Sequence, residues 1–214
     1  MRLNTVIIAD DSAECDIRDL CITLRDTTSQ LLEQYQRAHI NIKIDNISLS
    51  SDVVTTNNLA EKLSTINLNN FISFWFGHGE KDRFKIANEA IVTTTVNHYA
   101  FSNALIYTFS CYNGLELADV LIANRAIAFV GYDKEVQCPL GIDDVTSQIA
   151  QTFIVSFMIK GKQLKEAVVD LRNAYDDAVY NDDIDPILRG LFQTNRDTLV
   201  LKGNGDLTIN DFVI

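Results

Sequence analysis

Short, almost unbroken apolar runs alternate along this chain with longer stretches of helical period, and that alternation limits the fold more than any other feature. The runs Thr5 to Ala9 (TVIIA), Phe71 to Phe76 (FISFWF), Ala104 to Phe109 (ALIYTF) and Ala126 to Val130 (AIAFV) are too short for helices. Apolar on successive positions, they read as strands with both faces buried, and strands that alternate with helices build a mostly parallel sheet. Between them, Ile17, Leu20, Cys21, Leu24, Leu31 and Tyr35 keep one helical face apolar to about residue 38, with Asp11 and Glu14 spaced as a capping box at its start. Ile40 to Leu49 alternates like a further strand, and Leu59, Leu63 and Ile66 mark a short helix. Residues 83–95 read as a small hairpin, and a helix runs through Ala118, Leu121 and Ile122. Two long helices follow, lined by Val145, Ile149, Phe153 and Phe157 and by Leu164, Val168, Leu171 and Tyr175. An acidic loop at 176–185 and a short helix through Ile187 and Leu191 precede a terminal hairpin at about 197–210, turning at Gly203-Asn204-Gly205. The reading is one α/β domain over residues 1–214, with its core at about 5–180.

At 214 residues and 47% hydrophobic content, the chain can bury a core without a disulfide or metal staple. A net charge of −11 without a basic stripe argues against nucleic acid or an anionic membrane as partner. Four cysteines, Cys15, Cys21, Cys111 and Cys138, show neither CxxC nor metal-finger spacing, so no metal and no cofactor is assigned. The apolar run near the amino terminus is too short for a signal-peptide core, and no stretch approaches the roughly 20 apolar residues that span a bilayer. Reduced thiols and a cytoplasmic protein are expected.

Ligands of open α/β sheets bind outside the carboxyl ends of the strands. Two consecutive strands deliver reactive residues there: His78, between Gly77 and Gly79, and Cys111, within Ser110-Cys111-Tyr112-Asn113-Gly114. Cys111 lies ahead of the amino end of a helix, where free N–H groups favour a thiolate. A thiolate beside an imidazole base is the minimum apparatus for acyl transfer, and the N–H groups of Gly79 and Cys111 are placed to stabilise an oxyanion. Cys15, Cys21 and Cys138 read as inert apolar filler, and His39 and His98 carry no role.

Strand-His-Gly followed by strand-Ser-Cys-x-x-Gly resembles the caspase-like cysteine peptidases of clan CD: caspases, metacaspases, gingipain, clostripain, separase and bacterial CHAT domains. Phe74 to Gly79 and Tyr107 to Gly114 carry the likeness, and Ala128 to Asp133 resembles the strand after the catalytic helix. The resemblance implies a caspase-like three-layer α/β/α domain and a cysteine endopeptidase with His78 as base and Cys111 as nucleophile. It also implies conditional activity, released by an activating partner, an upstream protease or cleavage, with residues 79–97 and 181–185 as exposed candidates. Some relatives bind calcium, but the acidic stretch 176–185 lacks the Asp-x-[DN]-x-[DN]-Gly pattern and reads as a solvated loop. The alternative is a degenerate caspase-like scaffold that works by binding. More remote is a receiver domain, suggested by Asp10-Asp11, but its third strand would need a phosphoacceptor aspartate where this chain has Gly-His-Gly.

The resemblance implies a specificity pocket built partly from the loop after the strand that follows the catalytic helix, and there charge decides the expected specificity. The stretch Tyr132 to Val145 holds Asp133, Glu135, Asp143 and Asp144 against the single cation Lys134, and Asp10 and Asp11 add negative charge at the first strand end, with Arg83 in the His-Gly loop as the main counterexample. Carboxylates pair with an incoming guanidinium and repel a substrate acid. Cleavage after Arg or Lys is expected, with Asp133 as the pocket floor and Asp10 and Asp11 as further substrate-binding residues.

Overall fold

Side-chain parity along the strands divides the core in two. In the computed structural model, which describes residues 1–138 and 142–214, β1 (Arg2–Ala9) sends Leu3, Ile7 and Ala9 to one side and Val6 and Ile8 to the other. The same split recurs after α1 (Arg18–Ala38), β2 (Lys43–Leu49) and α2 (Leu59–Leu63), in β3 (Phe71–Phe76). There Ile72, Phe74 and Phe76 face one core, and Phe71 and Trp75 the other. Strand residues point alternately to opposite faces, so a strand apolar at successive positions needs cover on both. That requirement builds three layers.

The chain continues through β4 (His78–Glu80), β5 (Arg83–Ile86), β6 (Glu89–Thr93), β7 (Ala104–Phe109), α3 (Glu116–Ala123) and β8 (Ala128–Tyr132). It ends with α4 (Asp143–Ile154), extended by a π turn over Val155–Ile159, then α5 (Leu164–Val179), α6 (Pro186–Thr198) and β9 (Leu199–Gly203). The six-stranded sheet has the order β2-β1-β3-β7-β8-β9. All its neighbours pair in parallel except β8 and β9, which are antiparallel. The larger core packs α1, α4, α5 and α6 on one face, where Tyr107 stacks on Phe153. The smaller core holds α2, α3 and the β4-β5-β6 sheet, with Trp75 stacked on Phe84.

Three local expectations change. The capping box at Asp11 does not form: α1 begins at Arg18, and the Asp11 carboxylate instead accepts hydrogen bonds from Ser51 and Arg25. The segment 79–97 is not an exposed loop but carries β5 and β6, which bury Phe84, Ile86, Ile91 and Val92. The terminal hairpin is absent. β9 pairs with β8 and covers an edge that would otherwise stay unpaired, while a 3-10 turn at Ile209–Phe212 buries Phe212 and brings Val213 against Leu3. The acids at 176–185 divide: Asp176 lies in the last turn of α5 and pairs with Arg196, whereas 181–183 are exposed.

Candidate active site

Strand order places the site. β1 pairs with β2 on one side and β3 on the other, so the chain changes direction at β1, and loops diverging from such a point leave a crevice beyond the carboxyl ends. A cleft of ≈ 380 Å³ opens there. Its walls are Asp16 and Ile17 after β1, Gly77 and His78 after β3, Phe109 to Cys111 at the end of β7, and Glu135 to Cys138 after β8. His78 and Cys111 therefore face one cavity.

His78 is half-buried. Its Nε2 lies 3.6 Å from the Cys15 Sγ and 3.1 Å from an oxygen of the exposed Asp16. The hydrogen bond with Cys15, helped by the negative charge of Cys15, Asp16 and Asp10, raises the imidazole pKa against the opposing effect of burial. Cys15 is itself pulled down to about 6, first by a hydrogen bond from Cys21 and then, against burial, by His78. Cys15 is buried in the larger core, and its sulfur also lies against His78. The carboxyl-edge rule that singles out His78 also reaches Cys15 and Asp16, which leave β1 at the same edge; the absence of a cysteine motif hid them.

The Cys111 sulfur accepts the Val136 N–H at 3.4 Å, yet burial pushes its thiol pKa up and outweighs that bond. Tyr112, the next residue, holds φ 59°, a left-handed conformation costly for an aromatic side chain. Two hydrogen bonds fix it, from Tyr112 N–H to the Lys134 carbonyl (2.9 Å) and from Gly114 N–H to the Tyr132 carbonyl (2.8 Å). The Cys111 loop is therefore clamped to the strand end of β8.

Gly79 sits across from Phe84. Glu80 and Arg83 flank a two-residue turn and form the hydrogen-bonded pair, so Gly79 belongs to a non-bonded pair and its N–H points away from β5. A Cβ at position 79 would overlap Ser110 Oγ and the Asn113 amide, with Nδ2 at 2.6 Å. Asn113 Nδ2 in turn donates to the carbonyls of Glu80 and Arg83, both at 2.7 Å. The His78 and Cys111 loops are joined through this asparagine.

The expected substrate acids are placed differently. Asp10 is fully buried; its oxygens accept from Ser12 N–H and Oγ–H and from Ala87 N–H. Asp11 is tied to Ser51 and Arg25. Both carboxylates hold loops together. Asp133 lies two residues before the cleft wall; its N–H binds the Thr198 carbonyl, and its Oδ1 is buried without a hydrogen-bond partner among the described residues. Residues 139–141 of the acidic stretch lie outside the described residues. Among the described residues, the cleft wall carries the carboxylates of Asp16 and Glu135 and neither lysine nor arginine.

No protein-family model matches the sequence, and no curated protein matches it. By structure the chain is similar to the Arg-specific cysteine proteinase gingipain R, with a TM-score of 0.67 and 15% identity, over 96% of this chain and 47% of that one. A complex of Porphyromonas gingivalis RgpB pro- and mature domains gives a TM-score of 0.61 and 17% identity, over 96% and 48%. The fold is caspase-like. This chain spans about half the length of those gingipain structures. Within the caspase-like sheet, His78 and Cys111 each lie two residues beyond the last residue of β3 and β7, and the loop after β1 adds Asp16 to the same cleft wall. Among the described residues, no helix is long and apolar enough to cross a membrane.

Proposed function

We propose that this protein is a cysteine endopeptidase that cleaves peptide bonds after Arg or Lys. The carrying observation is that His78 and Cys111, at the ends of adjacent parallel strands, line one cleft on a caspase-like sheet. Cys111 supplies the thiolate that attacks the scissile carbonyl, and His78 takes the thiol proton and returns it to the leaving amine. The N–H of Gly79, turned away from β5, and that of Cys111 stabilise the oxyanion of the tetrahedral intermediate. The resulting thioester is hydrolysed by water with His78 as base.

Asp16 and Glu135 on the cleft wall, with Asp133 two residues before that wall and its Oδ1 without a hydrogen-bond partner among the described residues, favour a cationic side chain before the scissile bond. The Arg specificity of gingipain R agrees with this reading. Activity is conditional: His78 Nε2 faces Cys15 and Asp16, and burial raises the pKa of the Cys111 thiol. Substrate or an activating partner must therefore realign the imidazole toward Cys111, and the exposed segment 181–183 is the candidate for activating cleavage.

Labelling with an acyloxymethyl ketone ending in arginine, read by mass spectrometry, tests the assignment. The label is expected on Cys111, and Cys111→Ala is expected to lose several orders of magnitude in turnover. Label on another cysteine, or turnover by Cys111→Ala, refutes it.

A further inference from the structure

Two groups that can bear negative charge converge on one ring nitrogen. Cys15 Sγ and Asp16 Oδ1 both lie within contact distance of His78 Nε2, at 3.6 and 3.1 Å. That nitrogen carries either one proton or one lone pair, so it cannot satisfy both neighbours with well-directed hydrogen bonds. A cation seated between the three satisfies all of them. We propose that Cys15, Asp16 and His78 form a binding site for a thiophilic divalent cation of the zinc class, and that its occupancy holds the peptidase off.

The distances fit such an ion. Zinc bonds of about 2.3 Å to sulfur and about 2.0–2.1 Å to nitrogen, at a tetrahedral angle, put the two ligand atoms about 3.6 Å apart. The same geometry puts a carboxylate oxygen about 3.3 Å from the nitrogen. The three ligand atoms of this cluster lie within 4.8 Å of one another. Thiolate, imidazole and carboxylate together suit zinc better than magnesium or calcium, which take oxygen donors. The set also has an entry path, because Asp16 is 82% exposed and stands on the cleft wall. The fourth position is left for water.

The regulatory half rests on the peptidase reading above. A cation on His78 Nε2 takes the lone pair of the imidazole and fixes the ring toward Cys15 and Asp16, so a filled site has no free base for the Cys111 proton. Removing the ion with a chelator returns the base, and no covalent step is involved.

Cobalt(II) is the probe, because a thiolate ligand gives it a sulfur-to-metal charge-transfer absorption band. Chelator-treated protein is expected to develop that band at one equivalent of cobalt and to lose it on zinc addition. Cys15→Ser is expected to abolish it. Asp16→Ala, at a side chain so exposed that folding is not at issue, is expected to weaken cobalt binding on the order of 10- to 100-fold. Cys138→Ser is expected to change neither the band nor the affinity. No band in wild type, or a band that survives Cys15→Ser, overturns the site. In parallel, zinc is expected to inhibit cleavage of an Arg-ended peptide by wild type, with the inhibitory concentration raised to a similar degree by Asp16→Ala. Zinc that leaves the rate unchanged or raises it overturns the switch. A protein that binds cobalt through Cys15 but cleaves nothing when chelated sinks the peptidase reading and leaves the metal site standing.

Discussion

Adding one methyl group at Gly79 tests how the two halves of the candidate site are coupled. An alanine Cβ there would overlap Ser110 Oγ and the Asn113 amide. Both neighbours are buried, and Asn113 cannot swing aside freely, because its Nδ2 holds the Glu80 and Arg83 carbonyls at 2.7 Å. Overpacking a tight site costs roughly 1–3 kcal/mol, and each displaced hydrogen bond about 1 kcal/mol more. Gly79→Ala should therefore lose about 2–4 kcal/mol, read by urea unfolding of the intact chain. The mechanism is separable. With Asn113→Ala already in place, the amide is gone, and the second substitution should cost at least 1 kcal/mol less than it does alone. Turnover should fall in Gly79→Ala even where the protein remains folded, because the methyl group pushes the His78 strand away from the Cys111 loop. A loss below about 0.5 kcal/mol, or strict additivity with Asn113→Ala, refutes the reasoning.

Asp11→Asn isolates the loop-tying carboxylate. Burial alone would raise the pKa of Asp11, but the Ser51 hydrogen bonds and Arg25 outweigh it and hold the group below the usual aspartate value. With the folded pKa below the unfolded one, the stabilisation is complete above about pH 4 and disappears as the pH falls through the folded value. The stability gap between wild type and Asp11→Asn, about 1–2 kcal/mol at neutral pH, should close in acid; a gap that persists at low pH contradicts the ion-pair assignment. Trp75→Ala should cost about 3–5 kcal/mol by emptying the smaller core. Trp75→Phe should cost clearly less, since the buried Nε1–H has no partner to lose among the described residues; equal costs in thermal unfolding would count against this. Asp133→Asn should reduce kcat/KM for an Arg-ended peptide relative to a Leu-ended one by the equivalent of roughly 2–5 kcal/mol. An unchanged ratio moves the pocket floor elsewhere.

The layer architecture is legible in the residues themselves. FISFWF and ALIYTF, apolar on successive positions, admit one environment, a sheet covered on both faces, and both strands are fully buried. Strand ends follow from the same runs, so His78 and Cys111 are read directly as residues of one sheet edge. Local composition is silent on whatever depends on distant partners. Asp11 carries a helix-cap spacing, but Ser51 and Arg25 offer its carboxylate more hydrogen bonds than a helix start would, and they reach it only in the folded chain. Gly203-Asn204-Gly205 reads as a hairpin turn, yet the free edge of β8 captures β9 and the burial of Phe212 draws the last residues away. The strand order β2-β1-β3-β7-β8 is common to many doubly wound sheets; the antiparallel β9 and the β4-β5-β6 sheet are what the tertiary structure adds. Cys15 and Asp16 lie far from His78 in the chain and share no motif with it. They meet only because β1 and β3 are neighbours and both loops turn over the same sheet edge, a proximity set by strand pairing rather than by local sequence.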